Sequence, residues 1–297
     1  MTQVKLENII RAGQGTGHRE NYTPFLLVTK KVTSDKAFNG HNQSPEWGRL
    51  HHYRSADEEH TIQLLKWLGA YDIRDQYPAW PWTHEHPLVG LPGVLSMSLL
   101  PGLWRVAKDC GIAHGTYPGT RIPYIATIDL LTTWKEANRY KLVAYECKPD
   151  HISQDPDPLL RAKQRLELIR RYCVLSDIHR VVSTTEKFSK VFLTNLAELD
   201  PKLRPEKRAA IENSSEYAMV VERIGRDGYK QSPASLISDV SLRQKIPRAR
   251  LSAVFRLAIW NQDIDHDIST PSEFAIPLRR GGIALKNRLL KSWVNGR

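Results

Sequence analysis

The chain has 297 residues, 41% of them apolar and 25% charged, which is ordinary for a globular protein and excludes a disordered chain. No window approaches the ~18 uninterrupted apolar residues of a membrane span. No apolar run of the secretory kind follows the first basic residue, and the three cysteines read as reduced thiols of a cytoplasmic protein. Lys and Arg total 43 against 32 Asp and Glu, a net charge of +11; residues 201–297 hold 18 basic and 10 acidic side chains, residues 1–200 hold 25 and 22. A basic segment beside a near-neutral one predicts a polyanionic partner, nucleic acid first; the plainer alternative is that the charge serves solubility.

In chain order, the first third is rich in loop-formers: Gly13-Gln14-Gly15-Thr16-Gly17, Asn39-Gly40 and Ser44-Pro45. The glycine run lacks the Gly-Lys-Ser/Thr ending of a phosphate-binding loop and no predicted strand precedes it, so it reads as a tight turn or a loop approaching DNA. Residues 55–68 predict a helix. Ser55-Ala56-Asp57-Glu58 forms a capping box, and Ile62, Leu64, Leu65 and Leu68 form the buried stripe. On that wheel Glu58 lies at the edge of the stripe, whereas Glu59 lies with Gln63 and Lys66 on the solvent side. Pro78, Pro81, Pro87, Pro92 and Pro101 make 78–103 an extended excursion, followed by a short helix over 104–110. Residues 122–133 and 141–147 predict paired strands, Pro158 suits the first turn of a helix over 158–175, and 178–185 reads as a further strand. This order predicts an α/β layer with a mixed sheet.

The segment 195–231 is polar and punctuated by Pro201 and Pro205, and begins a second, mainly helical domain; the boundary is set at 186/187. There 234–240 and 248–260 predict two helices. Residues 263–269 and 273–278 predict two short strands around Thr270-Pro271-Ser272, the outline of a winged helix.

The chemistry centres on Glu146-Cys147-Lys148. On a strand Glu146 and Lys148 share a face, and a turn at Ala137-Asn138 sets Asp129 directly opposite Glu146, with Cβ atoms ~5 Å apart. Two carboxylates that close repel each other unless a cation joins them, and such an oxygen-rich pair suits Mg²⁺ with substrate phosphates. Lys148 is placed to position or deprotonate a water, or to stabilise phosphate charge. A hairpin carrying a surface salt-bridge ladder has the same spacing, so spacing alone leaves both readings open. Glu58 is the third carboxylate, either a helix cap or an inward-turned acid needing a partner or a metal. His51, His52, His84, His86, Cys110 and His114 fit no standard zinc spacing. On helix 158–175, Arg161, Lys163, Arg165, Arg170 and Arg171 form either a solvated face or phosphate contacts. The tail 279–297 holds Arg279, Arg280, Lys286, Arg288, Lys291 and Arg297 and no acid, with an apolar stripe of Leu285, Leu289, Leu290 and Trp293. It docks on a partner, contacts DNA, or packs on the second domain.

Residues 11–28 (RAGQGTGHRENYTPFLLV), 51–67 (HHYRSADEEHTIQLLKW), 72–78 (DIRDQYP), 107–114 (AKDCGIAH), 126–131 (ATIDLL), 146–148 (ECK) and 166–172 (LELIRRY) occur in the order of a known pattern. Over about residues 9–186 the chain resembles the TnsA family, endonuclease subunits of heteromeric bacterial transposases. The resemblance implies a restriction-endonuclease-like catalytic domain in 1–186, with 187–297 resembling the family only in its winged-helix-like outline. It implies Glu58, Asp129 and Lys148 as catalytic residues. Glu146 stands where the family often has Gln, so its place beside Glu58 and Asp129 as a metal ligand is not carried over; it rests on the fuller PD-(D/E)xK form. Residues 80–103 look like an insertion. The resemblance further implies Mg²⁺, with Mn²⁺ as substitute, and hydrolysis at the 5′ ends of a transposon. A TnsB-like transposase would cut the 3′ ends, and a TnsC-like AAA+ ATPase would dock on the C-terminal region. The setting would be bacterial cytoplasm, with no membrane partner. Arg161, Arg165, Arg248 and Arg250 are the candidate DNA contacts, and Arg279, Arg280, Lys286, Arg288 and Lys291 the candidate docking cations. A free-standing restriction or repair nuclease and an inactive DNA- or ATPase-binding adaptor are the alternatives.

Overall fold

The computed structural model describes residues 1–28, 39–148, 161–271 and 274–295. They divide into two compact units, one holding residues 1–43, 49–62 and 69–186, the other residues 44–48, 63–68 and 187–297. No described helix is long and apolar enough to cross a membrane.

The first unit runs α1 (Gln3–Arg11), β1 (Gly40–Ser44), β2 (Arg49–Tyr53), the start of α2 (Ala56–Leu68), β3 (Asp72–Ala79), α3 (Leu103–Asp109), β4 (Ala126–Glu136), β5 (Arg139–Cys147), α4 (Arg161–Leu175) and β6 (His179–Ser183). Strands β3 to β6 form a mixed sheet in that order, antiparallel except for the β5–β6 pair. The expected α/β layer is therefore present. The β4–β5 hairpin turns at Ala137, whose φ is +50°, and pairs Leu130 with Tyr145 through Glu136 with Arg139, the register expected from the sequence. On one face Leu131, Leu142 and Ala144 pack with Leu103 and Val106 of α3 and Leu168 and Ile169 of α4. The start of the expected helix, 158–160, lies outside the described residues.

Strand β3 has no counterpart among the sequence expectations. Its sequence, DIRDQYPA, lacks the apolar alternation of a half-buried strand, yet every residue is buried. Its polar groups are paired instead. Asp75 accepts from Arg49 Nη1 at 2.8 Å, the backbone N–H of His52 at 2.8 Å, and the His51 ring at 2.9 Å. Burial opposes the charge on Asp75, but Arg49 and His51 outweigh it and hold its pKa well below the usual carboxylate range. The glycine run proves to be tight turns. Gly17 has φ +91°, and a Cβ there would run into the Asn21 carbonyl.

In the second unit the described residues form α5 (Lys190–Leu199), α6 (Pro205–Glu212), α7 (Ser215–Asp227), α8 (Pro233–Gln244), α9 (Arg248–Asn261) and α10 (Gly282–Trp293), with the second half of α2. Two expectations are corrected here. Residues 262–271 and 274–281 contain no strand, so the wing of a winged helix is absent among the described residues; Glu273 lies outside them. The apolar–acidic alternation of 263–269 mimics a strand, but its acids serve as caps. Asp265 accepts from the Ile283 N–H at 2.9 Å at the start of α10, and Asp267 accepts from the Ser269 N–H at 2.9 Å. The helix wheel also misplaced Lys66 and Gln63, which are buried. Lys66 Nζ is paired with Asp200 at 2.7 Å and Glu46 at 2.9 Å, partners from distant sequence that make burial of the ammonium tolerable.

Candidate active site

The capping box at the start of α2 sets the first side chain. Ser55 Oγ accepts from the Glu58 N–H at 3.1 Å, and Glu58 Oε2 accepts in return from the Arg54 N–H at 3.0 Å. The same oxygen accepts from Gln76 Nε2 of β3 at 3.1 Å. Glu58 is thus both a cap and an inward-turned acid, 5% exposed, while Glu59 is half-exposed.

Asp129 and Glu146 fall opposite each other by continuation of the β4–β5 register and are 9% and 5% exposed. Asp129 Oδ2 accepts from the Cys147 N–H at 2.9 Å and from Lys148 Nζ at 2.6 Å. Glu146 is held by Arg180 of β6. Glu58, Gln76, Asp129, Glu146 and Lys148 all line one cleft, so the four residues singled out in the sequence are brought together.

The electrostatics follow from burial. Burial first, and then the charge of Asp129, push Glu58 up to about 8. Burial likewise lifts Glu146 to about 7, although Arg180 opposes it. Burial works against the Lys148 ammonium, but the charge and hydrogen bond of Asp129 outweigh it and hold the lysine above its ordinary value. Among the described residues no set of three or more His, Cys, Asp or Glu side chains is arranged to hold a metal ion by itself. Mg²⁺ does not require one: it takes one or two carboxylates and keeps waters and substrate phosphates as its other ligands. The mutual repulsion of Glu58 and Asp129 is what a cation between them would relieve, so the donor set fits the ion.

No family model matches the chain. Over 197 residues, 66% of its length, it is 27% identical to transposon Tn7 transposition protein TnsA of Escherichia coli.

Over that stretch the chain is similar to TnsA.

The match spans 62% of TnsA. In this TnsA-like chain two site residues escaped the sequence reading. Gln76 lies between the Asp75–Leu130 and Tyr77–Ile128 pairs of the β3–β4 ladder and is itself unpaired in it; it has φ +50°, a left-handed conformation that costs a non-glycine residue on the order of 1–3 kcal/mol and concentrates at functional sites. Its side chain donates to Glu58 and accepts from Thr127 Oγ1 at 3.2 Å. The only signal for it was its strand, which the periodicity concealed. Arg180 becomes visible once β6 is known to run parallel to β5.

The other candidates are dispersed. Arg165 lines the cleft, and Arg161 donates to the carbonyl of Ala113 at 2.9 Å. In the second unit Arg248 is exposed, whereas Arg250 is paired with Glu216 at 2.7 Å. Of the tail cations, Arg279, Arg288 and Lys291 are exposed, and the Arg280 guanidinium lies 3.8 Å from the Tyr229 ring centre. Lys286 is not a free cation: it packs over Trp67, and burial lowers its pKa to about 8. The stripe Leu285 and Leu289 is buried, so the tail is a packed helix. Among the described residues these histidines form no metal cluster. His51 bonds Asp75, His52 accepts from the Val28 N–H, and His84 bonds Tyr172.

Proposed function

We propose that this chain is a Mg²⁺-dependent DNA endonuclease that hydrolyses phosphodiesters at the 5′ ends of a transposon. On this reading it works beside a TnsB-like transposase and a TnsC-like ATPase, and Mn²⁺ replaces Mg²⁺. The observation that carries the reading is the convergence of Glu58, Asp129, Glu146 and Lys148 on one cleft in a TnsA-like chain. Glu58 and Asp129 would hold the ion, with Glu146 as a further oxygen donor on releasing Arg180. Bound there, Mg²⁺ would supply positive charge against the scissile phosphate and acidify a water.

The protein's own groups have distinct parts. Lys148, kept protonated by Asp129, stabilises the charge developing on the phosphate and is not the base. Gln76 orients the Glu58 carboxylate, and the Cys147 N–H orients Asp129. Arg161 and Arg165 meet the DNA backbone, as Arg248 and Arg250 do from the second unit. Arg279, Arg280, Arg288 and Lys291 present charge to the ATPase or to DNA, while Lys286 packs over Trp67. The test is a cleavage assay on end DNA with the cognate transposase. Lys148→Ala is expected to remove 5′-end nicks while 3′-end cuts persist. Efficient sequence-specific cutting by the chain alone would instead favour a free-standing nuclease.

A further inference from the structure

Beside the acidic cleft lies a second cavity, lined by Leu103, His114, Pro118, Tyr124, Leu168 and Ile169 among others. It shares Tyr124, Ala126, Arg165 and Ile169 with the cleft, so the two are continuous. Its character is different: its described lining is largely apolar, with the aromatic rings of His114 and Tyr124 and, among the described residues, the guanidinium charges of Arg161 and Arg165. The Arg165 guanidinium lies 5.1 Å from the Tyr124 ring centre and donates to its hydroxyl at 3.3 Å. Tyr124 in turn leans on Tyr117, with ring centres 5.1 Å apart. His114 of the lining stacks on Trp104, which is 57% exposed.

Gly115 makes the rim possible. It has φ +85°, and a Cβ there would lie 3.0 Å from Arg161 Nη2. Arg161 also spans the carbonyls of Ala113 and His114, at 2.9 and 3.3 Å, and so fixes the 113–115 loop that carries His114.

A flat, uncharged ring fits the cavity, and a negative backbone fits its arginine rim. A base stacked within a paired duplex reaches neither, because its faces are covered by its neighbours. We propose that this cavity receives an unpaired nucleobase of the DNA strand that enters the cleft, with its ring against Tyr124 and its flanking phosphates on Arg161 and Arg165. The site rests on the nuclease reading and deepens it: the substrate is DNA whose pairing is opened next to the cut. Aromatic platforms of this kind hold stacked bases without sequence preference.

The test is binding, measured by fluorescence anisotropy at low salt in EDTA, so that no cleavage occurs. Two probes are compared: a fully paired 20-mer, and the same duplex with one unpaired nucleotide. Wild type is expected to bind the second about tenfold more tightly, within the range of one stacking contact. Thr116 also lines the cavity; Tyr124→Ala and the cavity-filling Thr116→Trp should abolish that preference, whereas Tyr124→Phe, which keeps the ring, should retain it. Circular dichroism of each variant identifies one that has failed to fold, and the other then carries the comparison. Equal affinity of wild type for both probes overturns the base site and leaves the nuclease reading intact. So does a preference that survives in Thr116→Trp. Loss of 5′-end nicking in the separate cleavage assay bears on the nuclease reading alone.

Discussion

Glu58→Gln should stabilise the protein while destroying its proposed activity. The wild-type carboxyl titrates near 8 in place of 4.5, so between those values the folded chain binds a proton that the unfolded chain has released. Wild-type stability therefore falls as pH rises through this window. At about 1.36 kcal/mol per pKa unit, the accumulated penalty is on the order of 4 kcal/mol at pH 7.5 and levels off above pH 8. Glutamine carries no titrating proton, and its carbonyl can still accept from the Arg54 N–H and Gln76 Nε2. The variant's advantage in urea denaturation should thus be near zero at pH 4, grow steadily to pH 8, and then plateau. Mg²⁺ should raise the wild-type midpoint and leave the variant's unchanged, and 5′-end cleavage by the variant should be lost. A Glu58→Gln protein that is less stable than wild type at pH 7.5, or an advantage constant between pH 5 and 8, would refute the account of Glu58 as a buried acid repelled by Asp129.

Gln76 tests the strained strand. Gln76→Gly should be more stable than Gln76→Val by about 1–2 kcal/mol, since glycine alone tolerates φ +50° without cost, yet both should lose at least about tenfold in cleavage with the loss of the donor to Glu58; equal stabilities in chemical denaturation would contradict the geometry. Lys66→Ala should cost the second unit about 3–5 kcal/mol by leaving Asp200 buried and unpaired, and Lys66→Met with Asp200→Leu should recover most of it, as read by denaturation of the full chain. Deleting 279–297 removes the buried Leu285, Leu289 and Val294, a loss of about 5–9 kcal/mol at ~1.5–3 kcal/mol per side chain. Limited proteolysis should then cut within 187–278, and unchanged resistance would show that α10 is dispensable.

Much of the site was legible because it is local. A two-strand hairpin has one register once its turn is placed, so Ala137-Asn138 sufficed to set Asp129 against Glu146. One helical turn sufficed to separate Glu58 from Glu59. What the sequence could not decide depends on residues far apart in the chain. The fully buried β3 resembles a polar loop until Arg49, His51 and His52 are seen to pair with Asp75. The second half of α2 looks half-solvated until Asp200 and Glu46 meet Lys66. The acids of 263–269 alternate as a strand would, but the start of α10 takes Asp265 as its cap. Gln76 and Arg180 joined the site for the same reason. A buried polar group is tolerated only with its partner present, and that partner is chosen by the tertiary fold, not by the neighbouring sequence.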